Sequence, residues 1–288
     1  MEVLSEQQVG FYRDNGYLAL PAYLPADVVD EANREIDRLS RHAAEITESD
    51  DLIDLEDSHT PDDPRVRRIK RPDLQSDFFN SLMRSELILG PARDLIGPDI
   101  RMHTTKLNMK KAGYGAEVKW HQDFAFYPHT NDDVLAIGIV FDDMDVENGP
   151  LQVFAGSHKG PIFDHHVDGV FSGSMDLSDC GLDPADAVAL TGPAGTVTIH
   201  HARIVHGSAV NTSPRDRRML FYEMMAADAY PVMGSMTRFD DIGFYNELML
   251  CGAPTLEPRL APVPIRIPQP QPELNRSIYE IQKGRKEQ

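Results

Sequence analysis

The fold class this sequence predicts is an antiparallel β-sandwich or barrel with flanking α-helices. Three observations predict it. From residue 100 onward the chain breaks into short β-rich runs, among them IRMHTTKLNMK, VLAIGIVFDDM, GTVTIHHARIVHGS and RRMLFYEMMAA. Turn clusters separate them: VENGP, TGPAG and NTSPRD. The first hundred residues instead repeat their apolar positions at helical spacing.

Taken in order, Ser5 followed by Gln8 reads as a capping box that opens a helix with Val9, Phe11 and Tyr12 on its apolar face, ended near Asn15-Gly16. A second, longer helix starts near Pro25 and Asp27. Val28, Val29, Ala32, Ile36 and Leu39 follow at helical spacing and form the stripe that packs on a core. Residues 48 to 64, ESDDLIDLEDSHTPDDP, are acidic, contain two prolines and keep no period, so a surface loop is expected. The basic run RVRRIKR, Arg65 to Arg71, directly follows and is expected to pair with that acidic stretch. One further helix is expected over SDFFNSLMRSELILGPARDLIG, ending at Gly97-Pro98. The Pro-rich tail PVPIRIPQPQPELNRS is expected to lie extended along the surface, and no internal repeat is present. The chain reads as one domain over 1–288: a mainly helical part at 1–99, a β core at 100–230 and a C-terminal extension at 231–288.

Composition excludes several function classes. With 288 residues, net charge −18 and pI near 4.9, the surface repels nucleic acid and anionic membrane. The two cysteines, Cys180 and Cys251, sit in no metal or redox pattern, which suits a reducing cytoplasm. The N-terminus is polar and acidic, unlike a signal peptide, and no apolar run approaches the roughly 18 residues of a membrane span. A small-molecule partner is expected; oligomeric state is not legible.

The chemistry gathers at Trp120-His121-Gln122-Asp123-Phe124. On a strand, residues i and i+2 share a face, so His121 and Asp123 would project together. With a second histidine they would form a 2-His-1-carboxylate site, whose three remaining positions suit non-haem Fe(II). Among eleven histidines a lone HxD pair is as well explained as a surface pair, so the second histidine decides. The segment IHHARIVHGSAVN offers His200, His201 and His206. His206 is followed by Gly207-Ser208, where a small residue would let a ligand approach. His200 and His201 point to opposite faces, one toward a core and one outward. Arg217, eleven residues after His206, stands where a dicarboxylate cosubstrate needs a bidentate anchor. The plainer reading makes Arg215, Arg217 and Arg218 a solvated turn.

MHTTKLNMK, WHQDFAFYP, DDMDVENGPLQVFAGSHKGP and HHARIVHGSAVNTSPRDRR occur in an order, over residues 100 to 220, that resembles the phytanoyl-CoA dioxygenase (PhyH-like) family of Fe(II)/2-oxoglutarate-dependent oxygenases. ENGPLQVFAGSHKG is similar to a specific segment of that family, with Ala155 where proline is usual. The resemblance implies a double-stranded β-helix (a jelly roll, cupin-like) with flanking helices. It implies iron on His121, Asp123 and His206. It places the distal carboxylate of 2-oxoglutarate on Arg217, with Ser208 as helper, and Asn108, Thr105 and Ile139 in the cosubstrate pocket, Ile139 replacing an aromatic residue. The implied activity hydroxylates or otherwise oxidises a small molecule with O2, coupled to decarboxylation of 2-oxoglutarate to succinate and CO2, with ascorbate supportive in vitro. Asp123 stands where related halogenases have a small residue, which argues against halogenation. Phe124, Phe126 and Tyr127 are read either as walls of the site or as core. Two other readings stay open. A cupin-type metalloenzyme without 2-oxoglutarate would have no use for Arg217, and a non-catalytic binding protein would have no use for the whole set. Segments 48–71, 161–185 and 230–252 are expected to read the substrate, with His165 and His166 as loop histidines rather than ligands.

Overall fold

A computed structural model describes residues 3–233, 241–272 and 278–283. In chain order the elements are α1 (Glu6–Asn15), β1 (Tyr17–Leu20), α2 (Ala26–Ser40), β2 (Ile53–Leu55), β3 (Val66–Lys70), α3 (Pro72–Gln75), α4 (Asp77–Met83), α5 (Glu86–Ile96) and β4 (Ile100–Lys110). There follow β5 (Val118–His121), β6 (Val134–Val140), β7 (Leu151–Val153), β8 (His166–Val167), β9 (Val170–Phe171), α6 (Leu177–Cys180), β10 (Val188–Leu190), β11 (Val197–His201), β12 (His206–Ser208) and β13 (Arg217–Ala226). The last are α7 (Ile242–Glu247), β14 (Met249–Cys251) and α8 (Ile278–Lys283).

The strands form a jelly roll. Its larger sheet runs β1-β11-β6-β13-β4-β3-β2, with β14 also on β4, and its smaller sheet runs β10-β7-β12-β5. Strand alternation divides the larger sheet's residues between two cores. On β6, Leu135, Ile137 and Ile139 join Leu107, Leu220 and Tyr222 in a core shared with Ile36, Leu39, Phe79 and Ile88 of the helices. The other face turns Ala136, Val140, Met219 and Phe221 toward Leu151, Val153 and Leu190 of the smaller sheet. The functional cavity lies between the sheets on this second face.

The helical signals act as read. Ser5 Oγ accepts from Gln8 N and Gln8 Oε1 accepts from Ser5 N, closing the capping box, and Gly16 ends α1 in a left-handed conformation (φ 78°). The buried stripe of α2 is Val29, Ala32, Ile36 and Leu39. Two expectations need correction. The helix expected over 76–97 is broken in two, because Ser85 adopts an extended conformation between Met83 and Glu86 and starts α5. The loop expected at 48–64 contains β2, because Ile53 and Leu55 are apolar enough to be drawn into the helix-side core. Asp54 between them pairs with Arg68 and Lys70, so the expected acidic–basic pairing is a strand-to-strand device. The Pro-rich tail is extended and mostly exposed over its described residues 262–272, as expected, and beyond it α8 buries Ile281 and Gln282. Gln282 Oε1 accepts from Lys119 N (3.0 Å), and its amide donates to Gly173 O (2.8 Å).

Because Ile36 is fully buried at the helix–sheet contact, Ile36→Ala should lower unfolding stability by about 2–5 kcal/mol. Urea denaturation checks this, with an unchanged m-value expected for a cavity that leaves both end states alike.

Candidate active site

The site starts from one register. β12 and β5 are antiparallel neighbours, and His206 stands directly opposite His121. Opposed residues of paired strands share a face, and the two rings lie 4.1 Å apart between centroids. Each imidazole donates from Nδ1 to the carbonyl two residues back: His121 to Lys119 O (2.8 Å) and His206 to Ile204 O (3.0 Å). That leaves both Nε2 lone pairs facing inward. β5 ends at His121. Gln122 stays extended (φ −121°, ψ 125°), and Asp123 opens a tight turn closed by Phe126 N–H donating to its carbonyl. The same-face expectation therefore holds for His121 and Asp123, with Asp123 on a turn rather than a strand.

Asp123 Oδ1 lies 3.5 Å from His121 Nε2 and 3.8 Å from His206 Nε2. The three donor atoms fall within 4.8 Å of one another, and all three residues are buried. Burial alone would raise the Asp123 carboxyl, but His206, His121, His200 and Lys106 outweigh it and hold it well below the usual range. Burial, with His121 beside it, pushes His206 well down. Two neutral nitrogens and an ionised carboxylate, aimed at one point by their own hydrogen bonds, fit a divalent first-row metal with open positions.

The neighbouring sequence motifs hold this geometry. Gln122, facing away, donates to Pro161 O and Arg203 O and accepts from Phe163 N. His165, expected to be a loop histidine, is buried, and its Nε2 accepts from Gln122 N (3.0 Å). Ser157 of the GSHK run accepts from Val205 N (2.8 Å), just ahead of His206. His158 and Lys159 reach Arg13 O and Asp14 at the end of α1. Gly207 lines the cavity, and packing also favours glycine there, since a Cβ would sit 3.0 Å from Val118 O and 3.2 Å from the Trp120 ring.

Of the three arginines, only Arg217 faces the cavity. Arg215 pairs with Asp145, and Arg218 with Asp142. Arg217 Nη2 donates to Gly149 O (2.6 Å), with Gly149 at φ 72° in the NGP turn. Lys110 stands opposite Arg217 and donates to Ser208 O (3.2 Å); burial and then Arg217 push its ammonium down to about 6. Asn108 and Ser208 line the same cavity, and Asn108 Oδ1 is buried with no hydrogen-bond partner among the described residues. Thr105 and Ile139 are not there. Thr105 has the opposite parity to Asn108 and donates to Asp73, while Ile139 belongs to the helix-side core. The two-residue period of the strands, applied to β4 and β6, puts both on the far face.

Two lining residues, Lys106 and Glu223, went unread in the sequence, and His200, one of the three histidines offered there, lines the cavity as well. His200 turns inward, with Nε2 3.4 Å from Asp123 Oδ2, while His201 packs outward against His158 and Tyr12. Lys106 and Glu223 also line the cavity, with Nζ 2.5 Å from Oε1. Tyr127 Oη donates to Glu223 Oε2 (3.0 Å), and Phe126 meets His121 edge-on. Strand parity was the available signal: Lys106 shares that of Asn108, and Glu223 that of Arg217. Of the segments expected to read the substrate, residues 234–240 lie outside the described residues.

Comparison with known proteins is consistent along the whole chain. The family model for phytanoyl-CoA dioxygenase (PhyH) matches residues 12–219. A "Probable alpha-ketoglutarate-dependent hypophosphite dioxygenase" of Stutzerimonas stutzeri is 37% identical over 277 residues, covering 95% of each chain. The L-proline trans-4-hydroxylase of Streptomyces griseoviridis is 31% identical, covering 80% of this chain and 90% of its own. The crystal structure of EctD from S. alaskensis with 2-oxoglutarate and 5-hydroxyectoine superposes with a TM-score of 0.66 at 25% identity, covering 78% of this chain and 77% of that one. Sequence, fold and the converging His-Asp-His donors agree: the chain belongs to the phytanoyl-CoA dioxygenase family and is an iron- and 2-oxoglutarate-dependent dioxygenase.

Proposed function

We propose that this single-domain enzyme binds Fe(II) through His121, Asp123 and His206, anchors 2-oxoglutarate on Arg217, and oxidises a compact oxyanion of the hypophosphite class. The observation that carries the substrate class is the near full-length likeness to the hypophosphite dioxygenase. A cationic side chain on the inner wall, Lys106, supports it. Two unpaired cysteines, and the absence among the described residues of any helix long and apolar enough to cross a membrane, support a cytoplasmic setting.

When bound, Fe(II) with 2-oxoglutarate supplies the activation of dioxygen. One oxygen atom goes into succinate as CO2 leaves, and the other into the substrate, so that H2PO2⁻ becomes H2PO3⁻. The chain's residues bind and orient. Arg217, aimed by Gly149 O, receives the distal carboxylate through a charge-assisted pair. The Asn108 side-chain N–H and the Ser208 hydroxyl, on the cavity wall, offer donors to the cosubstrate's oxygens. The carbonyls of Lys119 and Ile204 keep both imidazoles in the ligating tautomer. Phe126 and Phe171, packed edge to face, limit water on the side of His121. The reading is tested by succinate release with Fe(II), 2-oxoglutarate and ascorbate, comparing hypophosphite with L-proline and ectoine. Stimulation by either organic substrate and not by hypophosphite would replace the substrate class.

His121→Ala, Asp123→Ala and His206→Ala should each bring Fe(II)-dependent succinate release below detection while circular dichroism stays unchanged. Chelator treatment of the wild-type protein should do the same, reversed by Fe(II). Arg217→Ala removes one partner of a buried charge pair, a loss of about 2–5 kcal/mol, so the KM for 2-oxoglutarate should rise about 30-fold or more. Arg215→Ala and Arg218→Ala, whose side chains pair elsewhere, should leave that KM unchanged. Gly149→Ala places a Cβ 2.4 Å from Ala209 O, and its main effect should be a raised 2-oxoglutarate KM through a displaced Arg217.

A further inference from the structure

Two charged ends divide the cavity. Arg217 and Lys110 face each other at one end, while Lys106 stands opposite Phe221 and reaches Glu223 at the other. Glu223 lies six positions along β13 from Arg217, about 20 Å at roughly 3.3 Å per residue. A cosubstrate that spans from Arg217 to the His-Asp-His donors would use the first end. The second end lines the same cavity as those donors and is left for a substrate.

That second end is built of buried polar groups. Glu223 is 1% exposed, and the Lys106 side chain 19%. Glu223 holds both donors at once: Lys106 Nζ lies 2.5 Å from Oε1, and Tyr127 Oη donates to Oε2 (3.0 Å). The Lys106 ammonium has further N–H groups beside the one that meets Glu223. A buried ion pair gives little stability over an apolar pair of the same volume, so packing alone does not account for it.

We propose that the Lys106 ammonium forms the subsite for the substrate's negatively charged oxygens, with Glu223, itself held by the Tyr127 hydroxyl, as the positioning residue that keeps it on the cavity wall. An ammonium has three N–H groups, so donors remain for a small monoanion after the contact with Glu223. Burial would lower the Lys106 ammonium, but Glu223 and Asp123 outweigh it and keep it charged. This inference rests on the oxyanion reading above and assigns the residues that would read the charge.

The test is anaerobic titration of the Fe(II)- and 2-oxoglutarate-loaded enzyme, following the visible charge-transfer band and binding heat, with hypophosphite, phosphite and formate as separate probes. Lys106→Met should weaken hypophosphite binding about 30-fold or more, while Lys106→Arg retains most of it. Because Lys106→Met leaves Glu223 unpaired, Lys106→Met/Glu223→Gln removes both charges and should show the same loss. All variants should keep the 2-oxoglutarate band. Wild-type affinity for hypophosphite in the double variant would overturn the subsite and leave the oxyanion reading standing. Binding of phosphite or formate instead, lost in the double variant, would uphold the subsite and remove hypophosphite. Binding of none of the three anions by the wild type would overturn both.

Discussion

The pairing of His206 with His121 across β12 and β5 is the constraint on which the site depends. A slip of one residue would send one imidazole to the outer face, because successive side chains alternate. Nothing in the two short strands holds the register by itself: β5 has four residues and β12 three. It is held from outside. Ser157 bonds the backbone ahead of β12, Gln282 bonds the edge of β5, and Gln122 ties the following turn to two distant carbonyls.

These outside bonds give the family motif a mechanical meaning. The GSHK run sits between α1 and the strand carrying His206. His158 and Lys159 grip the end of α1, while Ser157 grips Val205. The NGP run does comparable work at the other end of the cavity, where Gly149 supplies both the left-handed turn and the carbonyl that aims Arg217. The GSHK run therefore acts through side chains, and the NGP run through a backbone carbonyl.

Charge is distributed by the same economy of placement. Arg65, Arg67, Arg68, Lys70, Arg215, Arg218 and Arg259 are committed to acidic partners away from the metal donors. On a chain of net charge −18 the cations that reach the inner face are few. Lys106 and Arg217 line it, with Lys110 beside Arg217 pushed down to about 6 by burial. The anionic cosubstrate therefore finds cationic groups on this face despite the acidic exterior.

The sequence by itself determined the fold class, the first helix with its cap, the buried stripe of the second, and the residue types of the site. Those follow from local rules: a capping box needs only Ser5 and Gln8, an amphipathic stripe only the spacing of α2, and a same-face pair only the separation of His121 and Asp123. The resemblance added the choice of His206 over His200 and of Arg217 over its neighbours. Tertiary structure decided the rest. It drew Ile53 and Leu55 into a core and so made a strand of an acidic loop. It returned α8 to the edge of β5, and it put Thr105 and Ile139 on the helix side of the sheet. It also brought Lys106, Tyr127 and Glu223 together from positions 106, 127 and 223. Contacts between residues so far apart in sequence depend on which strands pair and in what register, and that is set by burial across the whole sheet rather than by any local run.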